Sequence, residues 1–173
     1  MKLNSGVLLL CACLVLVAQA RATVLPDACG DDKVKFDVTT SDKKSALPEA
    51  DTNKATFIFV QRNRACMGCS AVRVGIDGTW VGANKSNSYF AVTVPPGEHH
   101  LCALWGAPLA RIENKLGLTD WQADPGQAYY FEIEVESHGS EDTPKMHLKP
   151  ISPDMGKFLI SRSKLSVAKP KVP

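Results

Sequence analysis

The chain has 173 residues, with 20 Lys and Arg against 18 Asp and Glu and a hydrophobic fraction of 45%, enough for one domain with a substantial core. A formal net charge of +2 leaves no broad basic surface of the kind from which nucleic-acid binders draw most of their affinity. Nucleic acid is therefore not an expected partner.

Residues 1–22 read as an export signal. Lys2 supplies the early positive charge, Val7 to Val17 are apolar apart from small Cys and Ala insertions, and Ala18-Gln19-Ala20 and Ala20-Arg21-Ala22 offer small residues for cleavage after Ala20 or Ala22. The apolar run of about eleven residues is well short of the roughly twenty that cross a bilayer as a helix, so no transmembrane span is expected after signal removal. Leu10-Cys11-Ala12-Cys13 loosely resembles a bacterial lipoprotein box, which would anchor the chain through a lipid on Cys13. The mostly apolar stretch after Cys13 argues against that anchor, because a mature lipoprotein turns polar there. Cleavage after Ala22 removes Lys2 and Arg21 and no acid, which leaves the mature chain neutral. The expected location is the periplasm or the outside of the cell, with envelope association open.

Residues 23–53 form an irregular acidic lead-in containing Cys29, then a short alternating strand at Val34, Phe36 and Val38, then a polar linker. Ala55 to Val60 (ATFIFV) is apolar on both parities, as a central strand covered on both faces should be. RNRACMGCS follows as a loop carrying Cys66 and Cys69. Four short strands succeed one another between Ala71 and Trp105, with Asp77-Gly78 as a two-residue hairpin turn and Pro95-Pro96-Gly97 as a second turn. Val72, Val74 and Ile76, then Phe90, Val92 and Val94, then Leu101, Ala103 and Trp105 should face the core.

Pro108 to Lys115 fits either a short helix or an edge segment, and Leu116 to Gln122 reads as a strand. Asp124-Pro125-Gly126-Gln127 is a turn. In Ala128 to Glu136, Tyr129, Phe131, Ile133 and Val135 alternate with Tyr130, Glu132, Glu134 and Glu136, which predicts one buried and one wet face. Lys145 to Ile151 is another strand, Ser152 to Ser163 a short C-terminal helix begun by Pro153, and residues 161–173 a solvated basic tail. About seven to eight short strands at regular spacing indicate a mainly β protein, an antiparallel β-sandwich spanning about residues 54–160.

Cys29, Cys66, Cys69 and Cys102 remain in the mature chain, an even count that points to disulfides in an exported protein and allows three connectivities. The favoured one joins Cys66 to Cys69 and Cys29 to Cys102; the second bond would close a loop of about seventy residues and contribute on the order of 4 kcal/mol.

IDGTWVGANKSNSYFAVTVPPGEHHLCALW followed by LTDWQADPGQAYYFEIEV resembles the bacterial family known as domain of unknown function 2846. The matching features are the Asp77-Gly78 hairpin, the strand Asn87 to Phe90, the Pro96-Gly97 turn before His99, and Gly126 to Phe131. Ala28-Cys29-Gly30, Cys66 to Cys69 and Gly156 to Phe158 resemble an acidobacterial version of it. The same hairpin core is similar to the PEGA domain. Both resemblances imply an immunoglobulin-like or transthyretin-like sandwich in a bacterial envelope, and neither carries a catalytic residue over. Asn87 stands where the wider family often has Gly, and the cysteines belong to a subgroup.

Cys66-Met67-Gly68-Cys69 has the spacing of thiol oxidoreductases, which place it at a helix N-terminus to lower a thiol pKa; here a strand follows, and a structural disulfide is expected. A tetrahedral metal site could recruit Cys66, Cys69 and Cys102 with Cys29, His99 or His100. His99 and Cys102 are three apart on a strand, however, and so point to opposite faces, and no metal is expected. Glu132, Glu134 and Glu136 could suggest glycosidase carboxylates, but strand alternation already explains them. Trp80, Tyr89, Trp105, Trp121 and Tyr130 could form a carbohydrate platform or pack in the core. No phosphate-binding loop or Gly-x-Ser-x-Gly elbow appears, so no catalytic or cofactor-binding residue is assigned and enzymatic activity is not expected. The leading reading is a non-catalytic exported module that contacts an unknown envelope protein or glycan. The alternatives are a carbohydrate- or peptidoglycan-binding module and a thiol-disulfide or metal protein using Cys66 and Cys69.

Overall fold

Alternating apolar residues and tight turns fold the described residues into ten strands and two short helices. The structure, a computed structural model, describes residues 25–42, 47–48, 51–62, 71–106, 111–136 and 144–171. The cleavage residues Ala20 and Ala22, together with Cys13, Cys66 and Cys69, lie outside these residues. In chain order the elements are β1 (Phe36–Ser41), β2 (Ala55–Gln61), β3 (Val72–Ile76), β4 (Thr79–Asn84), β5 (Ser88–Val94) and β6 (Gly97–Trp105), then α1 (Ile112–Lys115), β7 (Leu116–Ala123), β8 (Ala128–Glu136), β9 (Lys145–Ile151), α2 (Pro153–Ser161) and β10 (Lys164–Pro170). Among the described residues no helix is long and apolar enough to cross a membrane.

Two sheets form, ordered β1-β10-β5-β2-β8-β9 and β4-β3-β6-β7. Their facing sides share one core. Phe57, Phe59, Phe90 and Phe131 of the larger sheet pack with Val72, Val74, Leu101 and Ala103 of the smaller one, and Phe131 lies 5.3–5.4 Å, ring to ring, from Phe57, Phe59 and Trp121. The expected two-layer β architecture is thus present, with two differences: the described residues form ten strands where about seven to eight were expected, and the larger sheet is mixed. β2 runs parallel to β8 and β10 parallel to β5, while the remaining pairs are antiparallel. Both flanks of the chain also enter that sheet. β10, which lies within the stretch expected as a solvated tail, pairs antiparallel with β1 and stands between it and β5.

The second correction concerns the wet face of β8. Tyr130 lies beneath α2, in a cluster with Ile58, Val60, Tyr89 and Leu159, and Glu132 is only 3% exposed. Helix α2 explains why β2 is apolar on both parities. Ser152 caps the helix, its hydroxyl accepting from the Met155 N–H, with Pro153 in its first turn. Gly156 lets the helix settle close to the sheet, since a Cβ there would sit 2.7 Å from Tyr130 Cβ. Glu132 and Glu134 are each held by a basic side chain. Arg62 grips Glu132 through Nε and through Nη2 at 2.8 Å, and Lys149 Nζ bonds Glu134 at 3.1 Å and Glu136 at 2.7 Å.

The acidic lead-in covers the outer face of the smaller sheet. Leu25, Ala28, Cys29, Val34 and Phe36 gather with Trp80, Cys102 and Leu104, and the Trp80 indole N–H donates to the Asp31 carbonyl at 2.7 Å. Arg73 stacks 4.5 Å over the Trp80 ring, and burial pushes its guanidinium pKa down. A disulfide joins Cys29 to Cys102, with a Cα–Cα distance of 5.2 Å. It fastens the lead-in to β6.

Candidate functional site

The β3–β4 turn places the first functional side chain. Asp77 and Gly78 both have positive φ, 50° and 81°, the backbone that a two-residue hairpin turn requires and that Asp and Gly tolerate best. The Asp77 N–H donates to the His100 carbonyl at 3.0 Å, and the Gly78 N–H to the Ala28 carbonyl at 3.3 Å. The turn is therefore wedged between the lead-in and β6.

The Asp77 carboxylate accepts twice, from the His99 ring Nδ1 at 2.6 Å through Oδ2 and from the His100 backbone N–H at 2.8 Å through Oδ1. Partial burial alone would raise its pKa; the His100 amide and the His99 ring outweigh that and hold it below the usual carboxylate range. The second His99 nitrogen, Nε2, lies 2.8 Å from the Pro95 carbonyl. Both His99 nitrogens face oxygen atoms, one on Asp77 and one on Pro95. His99 thus ties the hairpin turn to the Pro95-Pro96-Gly97 turn, edge-on to Phe57 at 5.5 Å.

His100 points the other way, as strand alternation demands. Its Nδ1 lies 2.7 Å from Asp120 Oδ1 because the β6–β7 register sets His100 opposite Asp120 and Cys102 opposite Leu118. The hydrogen bond that His100 donates to Asp120 is the main reason its pKa is raised. The pair lies at the surface, its two side chains 56% and 72% exposed.

Between the lead-in, the hairpin turn and the outer face of β7 lies an open groove of about 630 Å³. Ala28, Leu101 and Leu118 supply its apolar lining, Asp27, Asp77 and Asp120 its charge, and His100 and Thr119 complete it. Leu118 is 51% exposed. Among the described residues no Lys or Arg lines it.

The other sequence candidates are dispersed. Cys29 and Cys102 are bonded to each other and so are unavailable as metal ligands, and among the described residues no three His, Cys, Asp or Glu gather as a metal site. The five aromatics do not share an exposed face. Trp80 packs under the lead-in, Tyr89 and Tyr130 under α2, and Trp105 and Trp121 against the inter-sheet core. Glu132, Glu134 and Glu136 are held in ion pairs with Arg62, Lys149 and His147.

Asp27, Asp77, Leu118 and Asp120 were not identifiable from sequence as members of a site. Asp77 carries a local signal, but only as a turn former; the others depend on the β6–β7 register and on the path of the lead-in. No protein-family model, curated protein or solved structure matches the chain.

Proposed function

We propose that this chain is an exported, non-catalytic interaction module of a bacterial envelope, as its resemblance to domain of unknown function 2846 implies, and that its contact surface is the groove beside the lead-in. One observation carries this reading: the groove wall at Asp27 and Ala28 is anchored by the adjacent Cys29–Cys102 disulfide. A buried disulfide of this kind forms and persists in oxidising compartments, so export and the groove depend on the same bond. An exposed leucine beside three carboxylates is a recognition surface that needs no reacting group.

The test is expression of the full chain in a Gram-negative host, followed by fractionation, non-reducing peptide mapping and recovery with washed envelopes. The mature protein should be found outside the cytoplasm with Cys29 bonded to Cys102. Its envelope association should fall with Leu118→Arg while thermal stability holds. Cytoplasmic retention with a reduced Cys29 would overturn the export reading. Undiminished association of the Leu118→Arg protein would overturn the groove as the contact surface.

A further inference from the structure

We infer that the groove takes an extended peptide segment in which a lysine or arginine stands two residues from an aliphatic side chain. The inference rests on the proposed role of the groove as contact surface and adds the chemistry of its occupant.

Charge is the first argument. Asp27, Asp77 and Asp120 line the groove with no Lys or Arg among the described residues to balance them, and His100 is already committed to Asp120 Oδ1. Asp77 has both oxygens occupied by His99 and His100 and is held ionised, so it contributes field more than a free acceptor. Asp27 and the second oxygen of Asp120 accept no hydrogen bond among the described residues. They are the acceptors left for an incoming cation. An anion would meet the same carboxylates as repulsion.

Spacing is the second. Leu118 and Asp120 are two apart on β7, so both stand on its outer face, about 7 Å from one another along the strand. An extended peptide carries side chains of equal parity at the same interval. A segment lying along this face can therefore set an aliphatic group on Leu118 and a cation on Asp120 at once. The apolar half distinguishes the groove from a cluster of surface acids: half of Leu118 is exposed, and Ala28 lines the groove with it.

The probe is an acetylated, amidated Ser-Leu-Ser-Lys-Ser peptide titrated into the exported, oxidised protein, with amide chemical shifts followed by NMR. Shifts should map to Ala28, His100, Leu118, Thr119 and Asp120. Asp120→Asn should weaken binding by about two- to fivefold, the range of an exposed ion pair, and replacing the peptide lysine by glutamate should abolish it. Replacing its leucine by serine should weaken binding to wild type but leave binding to the Leu118→Ser variant unchanged. Groove shifts of equal size with the glutamate peptide would overturn the ligand class while sparing the groove as a contact surface. So would saturating binding that ignores both substitutions. Shifts elsewhere, or none at millimolar peptide, would overturn the inference outright. The Leu118→Arg envelope experiment decides separately whether the functional reading stands.

Discussion

Arg62 and Glu132 form an ion pair whose two halves are unequally buried, and removing them should have unequal cost. The Glu132 side chain is 5% exposed and the Arg62 side chain 40%. Without Glu132 the guanidinium can turn into water, so Glu132→Ala should cost about 1 kcal/mol, close to the value of an exposed pair. Without Arg62 the carboxylate stays on the sheet as a buried charge with its bidentate partner gone. Stranding a buried charge typically costs about 3–5 kcal/mol; Lys149, opposite Glu132 in the β8–β9 register, is near enough to offset part of it, and about 3 kcal/mol is expected for Arg62→Ala. The double substitution should be milder than Arg62→Ala alone, because no charge is left behind. Urea melts of the four proteins, at matched m-values, measure these differences and the coupling between the sites. Equal costs for the two single substitutions, or a double variant that is the least stable, would refute the burial argument.

Phe131→Ala should cost about 3–5 kcal/mol in the same melts, because the ring is fully buried among Phe57, Phe59 and Trp121. Gly156→Ala should destabilise by about 1–3 kcal/mol through overlap with Tyr130, and a raised Tm, the usual result of Gly to Ala in a helix, would contradict the close approach of α2. The His100 imidazole should titrate above its ordinary value by NMR and return toward it in Asp120→Asn; a raised pKa means that its stabilisation is present at low pH and fades as pH rises through the folded value. Asp77, shifted down, works in the opposite sense: its contribution is full above the usual carboxylate range and is lost in acid as pH falls through the folded value, so Asp77→Asn should flatten that part of the stability–pH curve. Replacing Cys29 and Cys102 by Ala opens a span of 73 residues and should cost up to about 4 kcal/mol on the chain-entropy model, with Trp80 fluorescence reporting release of the lead-in.

Local chemistry determined much of this protein from sequence alone. Period-two alternation located β8 and its core face, Asp77-Gly78 and Pro125-Gly126 marked turns that the positive φ of Asp77, Gly78 and Gly126 realises, and Ser152-Pro153 marked the start of α2. These signals are legible because backbone preference and side-chain parity act over a few residues. Tertiary structure decided the rest. Alternation says that Tyr130, Glu132 and Glu134 share a face of β8; it does not say that α2 covers Tyr130 or that Arg62 reaches Glu132 from seventy residues away. Nor does it distinguish a parallel β2–β8 pair from an antiparallel one, since both present the same parity. Of three possible cysteine pairings the sequence favoured the one that joins Cys29 to Cys102, and the packing of the lead-in on Trp80 brings these two together. The groove was the least legible feature of all. His100 meets Asp120 and Leu118 meets Cys102 only through the β6–β7 register, and Asp27 arrives with a lead-in held by the disulfide and by packing on Trp80: pairing register and chain path are long-range outcomes of burying the core, and no short stretch of sequence encodes them.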